Sequence, residues 1–440
     1  MTSFNDFDLH EQLLKSLEDL NYETPTPIQD QVIRHLTGGH DVLGIAQTGT
    51  GKTAAFALPT LDRLLRAPKR RISKQPRALI LAPTRELALQ IADSFRSYGQ
   101  HAPIRTETVF GGVKITRQIR ALEKGTDVLV ATPGRLLDLM NQKAVSFEQL
   151  EVLVLDEADQ MLDLGFIRDL TKIVAALPKD RQTMLFSATM PKQIEDLTQR
   201  YLRDPKRVSV TPAATTAERV RQSVIHVTKP EKLRLLEAVL RDPNLDRALV
   251  FVRTKHGANA VVRKLLAKGL KVEAIHGNKS QSQRVRTLNA FRDGSCPILV
   301  ATDIAARGID VDGVSHVINF EMPDVADQYV HRIGRTARAG REGLAISLVA
   351  EDELWHLRQV EKLAKITLAP MPAPEGCADF VLPTPDPNLR VFKPKGRSGN
   401  QSGGRRKSGG NHSQRKSKPN SNASTAPRPS RQKRRRRELA

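Results

Sequence analysis

Aromatic side chains are scarce in this chain of 440 residues: Phe, Trp and Tyr together make up 4% of it. A protein that grips bare bases by stacking them along a groove needs a denser supply of rings, so base stacking is excluded as its main hold on a nucleic acid. Cysteine is nearly missing. Cys296 and Cys377 lie far apart in no metal-ligand spacing, and the eleven histidines form no ligand cluster. That excludes a disulfide scaffold and a zinc module, and it suits a reducing, cytoplasmic setting. No apolar run approaches the ~18 residues of a membrane span. The opening residues, Met1-Thr-Ser-Phe-Asn-Asp-Phe-Asp8, are acidic and lack an apolar core, so neither membrane anchorage nor export is expected.

What is present is positive charge, unevenly placed. The net charge is +22, and residues 391–440 contribute +15 of it, from sixteen Lys or Arg against the single acid Glu438. A mildly basic body therefore carries a strongly basic tail, and charge of that density pairs with nucleic-acid phosphate through counterion release. The chain as a whole is 39% apolar, enough for a globular α/β core, and its length suits two or three domains. It also repeats. Arg77-Ala-Leu-Ile-Leu-Ala-Pro-Thr84 resembles Arg247-Ala-Leu-Val-Phe-Val-Arg-Thr254, and Val128-Leu-Val-Ala-Thr132 resembles Ile298-Leu-Val-Ala-Thr302, both at an offset of 170 residues. Such apolar runs ending in a polar residue read as buried parallel strands followed by loops. Buried strands resemble one another in any case, but a shared offset favours duplication. The expectation is two related α/β domains with parallel sheets, at residues 1–204 and 217–370. A small-residue linker at 205–216 joins them, and a basic disordered segment follows at 371–440.

Function should lie in the loops at the strands' carboxyl ends. Between a strand at Asp41–Ala46 and a helix starting at Gly51, the run Ala46-Gln47-Thr48-Gly49-Thr50-Gly51-Lys52-Thr53 can turn backbone N–H groups onto phosphate oxygens. Lys52 would then reach the terminal phosphates and the Thr53 hydroxyl a Mg²⁺ ion. Ala46 stands where the usual pattern has glycine. Asp156 ends the apolar run Val152-Leu-Val-Leu155, where a carboxylate can hold Mg²⁺, and Glu157 beside it can deprotonate an attacking water. A solvated acidic turn is the plainer alternative. Arg332, Arg335 and Arg338 recur so that the last two lie one helical turn apart. They are either an exposed basic helix or guanidinium groups for a transferred phosphoryl group.

These segments, in this order, resemble the DEAD-box ATP-dependent RNA helicases, of the short bacterial kind typified by RhlE and SrmB. The likeness runs from Phe4 to about Ala350 and implies two tandem RecA-like domains. Asn21-Tyr-Glu-Thr-Pro-Thr-Pro-Ile-Gln29 resembles the adenine-reading motif. It implies that Gln29 hydrogen-bonds the base, Phe4 stacks on it, and Tyr22 and Thr24 add backbone contacts. Asn21 replaces the usual glycine there, as Ala337 does later. Ser187-Ala-Thr189, with Asp159, resembles the segment coupling hydrolysis to strand separation. Pro83-Thr84-Arg85, Gly111-Gly112 and Thr132-Pro-Gly134-Arg135 resemble RNA-contacting loops, and Arg253, Gln281 with Arg284, and Thr302 are their counterparts in the second domain. Asp303 and Asp310 would bridge the ribose and the closed interface. His331 and Arg332 would support that interface, and Arg335 and Arg338 would act as arginine fingers.

The expected activity is RNA-stimulated ATP hydrolysis with local unwinding of short duplexes or remodelling of RNA–protein complexes, gripping backbone more than sequence. An ATP-gated clamp with incidental unwinding, and a DNA translocase, are the alternatives. The tail reads as an RNA tether, a solubilising extension or a localisation signal. Ribosomal precursors and RNA-decay proteins are the partners that the resemblance suggests.

Overall fold

The computed structural model describes residues 2–47, 49–210, 220–306, 311, 313–337, 342–386 and 391–392. Two seven-stranded parallel sheets dominate residues 1–394, which form one compact unit. The first sheet holds β1 (Val42–Ile45), β2 (Ala78–Leu81), β3 (Thr106–Val109), β4 (Val128–Ala131), β5 (Val152–Leu155), β6 (Gln182–Ser187) and β7 (Lys206–Ser209) in the order β3-β4-β2-β5-β6-β1-β7. The second holds β8 (Val220–His226), β9 (Ala248–Val252), β10 (Val272–Ile275), β11 (Ile298–Thr302), β12 (His316–Asn319), β13 (Gly343–Val349) and β14 (Ala369–Pro370) in the order β10-β11-β9-β12-β13-β8-β14. Adding seven to each label of the first order gives the second, so both sheets share one topology. The repeated segments occupy equivalent strands, β2 with β9 and β4 with β11. Their offset extends to the helix caps: Thr84 accepts from Leu87 N at 3.3 Å and Thr254 from Gly257 N at 3.0 Å.

The strands are short apolar runs because both faces of each sheet are covered. In the first lobe Val42, Ile80, Val130 and Val154 face one core, while Leu43, Leu79, Leu129 and Leu155 face the other. The period of two in the strand thus sorts β-branched from γ-branched residues onto opposite faces.

Two expected boundaries move. Residues 205–216 were expected to link the lobes, but Lys206–Ser209 pairs in parallel with β1 and closes the edge of the first sheet. Val208 alone of the four is buried there, and one inward side chain suffices for an edge strand. The tail expected from 371 starts later. Met371 N donates to Val224 O at 2.9 Å, Leu382 N donates to His226 O at 2.7 Å, and Cys377 is buried in the second lobe's core. Residues 371–382 therefore form a strap along β8. Residues 211–216 of the expected linker and nearly all of the basic tail lie outside the described residues.

Candidate nucleotide and RNA site

The strand order brings the distant motifs together. β2, β5, β6 and β1 are consecutive in the first sheet, so the segments after Leu81, Leu155, Ser187 and Ile45 emerge side by side at one edge. Ile45 stands opposite Ser187 in register, and Ala46 N donates to Ser187 O at 3.1 Å. The loop after β1 turns at Gly49 (φ 86°) and Gly51 (φ 93°), left-handed geometry that glycine adopts without strain. The helix Lys52–Arg66 begins there. Lys52 is buried, with its ammonium donating to Ala46 O at 3.0 Å, and Thr50 Oγ1 donates to Gln47 O at 2.8 Å. The Lys52 charge is also felt at Asp156, with β6 between their two strands.

Both leading carboxylates are deeply buried. Burial, above all, raises the pKa of Asp156, and Lys52 opposes the rise. Glu157 is pushed up to about 7, first by burial and then by the Asp156 charge, while Lys52 and Arg335 pull it down. Glu157 itself sits at φ 51°, left-handed for a residue with a side chain. That strain turns the chain sharply from β5 into the helix Ala158–Asp163. Asp159 faces the other way. Its Oδ2 accepts from Ala188 N at 3.1 Å, Thr189 N at 2.9 Å and Thr189 Oγ1 at 3.0 Å, and Ser187 Oγ donates to Thr189 O at 2.7 Å. The carboxylate motif and the Ser-Ala-Thr segment are thus one hydrogen-bonded unit.

The second lobe completes the cleft. A cavity of about 780 Å³ is lined by Gly51, Lys52, Asp156 and Glu157 from the first lobe and by Arg335 and Gln281 from the second. Arg335 is buried and its Nε donates to His331 O at 3.2 Å. It lies in the turn after the helix Ala326–Ile333 rather than on it. A smaller cavity of about 180 Å³ places His331 and Arg335 opposite Gln47 and Thr189.

Two family models match, one described as DEAD/DEAH box helicase over residues 26–197 and one as helicase conserved C-terminal domain over residues 231–340. The DEAD-box ATP-dependent RNA helicase CshA of Bacillus cereus is 41% identical over 374 residues, 85% of this chain and 70% of that protein. The RNA helicase CrhR of Synechocystis is 45% identical over 365 residues, 83% and 73% of the two chains. This chain belongs to the DEAD-box family of ATP-dependent RNA helicases. A solved structure of S. cerevisiae Dbp5 bound to RNA and ADP BeF3 superposes with a TM-score of 0.74 at 31% identity, covering 84% of this chain and 96% of that one. The tandem RecA-like fold follows from it.

Several residues of this DEAD-box chain are placed otherwise than the motifs led us to expect. Phe4 is 3% exposed, packed edge-on to Phe7 (5.9 Å) and tilted against Tyr22 (6.0 Å). As folded it offers no face to a base, whereas Tyr22 lines the cleft. Gln29 also lines the cleft, but both ends of its amide are engaged: Oε1 accepts from Thr26 N at 2.8 Å and Nε2 donates to Gly51 O at 3.2 Å. It braces the phosphate loop. Thr24 is exposed beside it. Asn21 takes φ 57°, the left-handed conformation that explains the usual glycine there, and Ala337 does the same at φ 56°.

On the expected RNA side, Gly112 (φ 81°) lies so close to Arg85 that an added Cβ would stand 2.1 Å from its guanidinium. Arg135 holds the same loop from the other end, donating to Val113 O at 3.2 Å and to Gln118 Oε1 at 2.7 Å. Thr84 and Thr132 precede helices as N-caps, Pro83 is buried before one of them, and Gly134 has open space around it. Thr302 ends β11.

Three other basic groups face carboxylates. Arg284 donates through Nε to Glu86 Oε1 and lies within 2.8 Å of Oε2 as well, with Gln281 Nε2 at 3.3 Å from the same carboxylate. This buried pair crosses between the lobes, and a charge count of the sequence gives no hint of it. Arg253 is held by Glu353 at 2.5 Å and Asp324 at 3.4 Å. Arg332, 2% exposed, makes a two-pronged pair with Asp303 (2.5 and 2.7 Å) and donates to Asn319 and to Glu321 O. Arg332 is therefore an internal brace, and Asp303 is engaged within its own lobe. Thr48, Asp310 and Arg338 lie outside the described residues.

Proposed function

We propose that this DEAD-box RNA helicase hydrolyses ATP where the two lobes meet and uses lobe closure to pry short RNA duplexes open or to remodel RNA–protein complexes. The observation that carries the reading is the shared cleft, which sets Lys52, Asp156 and Glu157 of one lobe against Arg335 of the other. Glu157, with a pKa near 7, is poised to accept a proton from the attacking water at neutral pH. Lys52 and Arg335 balance the charge that spreads over the transferred phosphoryl group. Asp159, bonded to Thr189, would relay the state of the nucleotide to the lobe interface, with His331 on its far side.

The donors fit Mg²⁺ as the companion ion. Asp156 and the Thr53 hydroxyl are hard oxygen ligands, and among the described residues no group of three or more His, Cys, Asp or Glu assembles to hold a metal. That pattern suits an ion taking the rest of its shell from phosphates and water, and when bound it would neutralise charge on them. Further parts of the reading are cytoplasmic location, kinship with the short RhlE and SrmB subtype, ribosomal precursors or decay proteins as partners, and the basic tail as an RNA tether.

The test is a pair of variants assayed with a short RNA duplex. Glu157→Gln should keep ATP-dependent RNA binding and lose multiple-turnover unwinding. Arg335→Ala should lose RNA-stimulated hydrolysis. Undiminished hydrolysis in Arg335→Ala would show that the lobes do not cooperate and would overturn the proposal.

A further inference from the structure

The two lobes share one topology, yet one matching pair of helices differs in charge. Arg85–Tyr98 follows β2 and Lys255–Leu266 follows β9, at the offset of 170 residues. The first-lobe helix balances Arg85 and Arg96 against Glu86 and Asp93. Its counterpart carries Lys255, Arg263 and Lys264 and no acid. Arg263 stands where the first lobe has Asp93, and Lys264 where it has Ser94. The fold itself therefore does not require this charge. No acidic residue occurs between Asp246 and Glu273, a stretch that holds seven Lys or Arg. Three of the seven are paired: Arg247 with Asp246 at 3.7 Å, Arg253 with Glu353 at 2.5 Å and Lys268 with Glu237 at 3.6 Å. Lys255, Arg263, Lys264 and Lys271 are exposed and pair with no carboxylate among the described residues.

The basic helix buries Ala258, Val261 and Leu265 against one face of the second sheet. The opposite face is covered by Leu288 and Phe291 of the helix Gln281–Arg292, which meets the first lobe through Arg284 and Glu86. The basic helix thus lies on the outer side of the second lobe. It starts just past Arg253 at the carboxyl end of β9, where the RNA-facing loops are expected. Lys279 reaches the same rim after β10. Burial first, and then the charges of Lys279, Arg284, Lys255 and His256, hold His276 below its usual pKa, so positive groups crowd this rim. From there the helix runs down the outer wall for about 18 Å, at ~1.5 Å per residue. Its exposed face offers separate cations and, in Leu266, a single large apolar side chain at its end. A protein interface wants an apolar and aromatic centre, whereas a row of unpaired cations suits regularly spaced phosphates. We propose that this outer face, through Arg263 and Lys264, binds the backbone of RNA that continues beyond the strand gripped between the lobes. The proposal rests on the reading of the strand-end loops as RNA-facing, and it extends the RNA path onto a surface outside every motif quoted above.

Arg263→Gln combined with Lys264→Gln removes both charges at exposed positions, and the Trp355 melt checks that the second lobe stays intact. The full chain is titrated over a range of salt with two RNAs: a short single strand that fills only the cleft, and the same strand extended by a duplex arm. The salt slope for the extended RNA should fall by about 1.8 units, ~0.9 for each lost phosphate contact. Its affinity at physiological salt should drop about three- to tenfold. Binding of the short strand, and hydrolysis at saturating short strand, should not change. The swap Arg263→Lys with Lys264→Arg should restore binding of the extended RNA. An unchanged slope with that RNA would overturn the proposal and leave the face to solvent or to another partner. Equal weakening of both RNAs would sink it too, since the helix would then act through the cleft. If the unaltered protein shows no ATP-dependent grip on the short strand, the reading of the cleft fails instead, and that control separates the two.

Discussion

Replacing Glu157 with glutamine should make the protein more stable, and only at neutral to alkaline pH. The folded protein lifts this carboxyl from 4.5 to about 7, chiefly by burying it and then by facing it with Asp156. It therefore holds its proton more tightly folded than unfolded. Ionising it in place opposes folding, so the penalty is absent below pH ~4.5, grows as pH rises and is complete above pH ~7. At about 1.36 kcal/mol per unit, a rise of some 2.5 units corresponds to ~3 kcal/mol at pH 8. Glutamine is never ionised and escapes the penalty. Asp156 also loses a like-charged neighbour, which acts in the same direction. For a lobe of this size each kcal/mol shifts the melting temperature by about 2–4 °C. Calorimetry of wild type and Glu157→Gln from pH 5 to 8.5, without nucleotide, reads the first lobe. The only tryptophan, Trp355, lies in the second lobe's helix Leu354–Ala364, so its fluorescence melt is an internal control that should not move. A variant less stable than wild type at pH 8, or a gain independent of pH, would refute the reasoning. The same titration predicts that kcat/KM falls below pH ~7 about tenfold per unit, since only the ionised base accepts a proton.

Other outcomes follow from the same geometry. Ala337→Gly should raise the second lobe's stability by about 1 kcal/mol, because an alanine at φ 56° is strained where glycine is not; an unchanged Trp355 melt would contradict it. In a double-mutant cycle, Glu86→Gln and Arg284→Met should each weaken ATP-dependent RNA binding, with a coupling of about 1–3 kcal/mol between them. Additive losses would mean that the pair across the lobes is not formed when RNA is bound. Asp159→Asn places an amide against three donors from Ala188 and Thr189, so unwinding should fall further than hydrolysis, as measured on one RNA duplex with both assays. Removing residues 397–440 should weaken RNA binding and flatten its salt dependence while sparing turnover at saturating RNA; equal salt slopes would count against the tether.

The motif residues were legible because phosphate and acid–base chemistry constrain residue type and spacing locally. A loop that turns on Gly49 and Gly51, a lysine after it and a carboxylate at a strand's end can be read one segment at a time. The doubled fold was legible too, through apolar runs repeated at a constant offset. Partners were not. The charge of Arg284, Arg253 or Arg332 says nothing about whether it meets phosphate or Glu86, Glu353 or Asp303, since such pairings join residues far apart in the chain. The exposed side of an aromatic is equally silent: Phe4 and Tyr22 are both rings near one motif, and only packing buries the first and bares the second.

The sequence by itself determined which segments could bind phosphate, hold a carboxylate at a strand end or build a parallel sheet, because these depend on short-range backbone geometry and side-chain chemistry. The tertiary structure alone decided that β2, β5, β6 and β1 stand together, that Arg335 and Glu157 line one cleft from opposite lobes, and that Tyr98 backs Tyr22. Each of these is an arrangement of distant parts of the chain, set by how whole sheets and helices pack, and no local pattern encodes it.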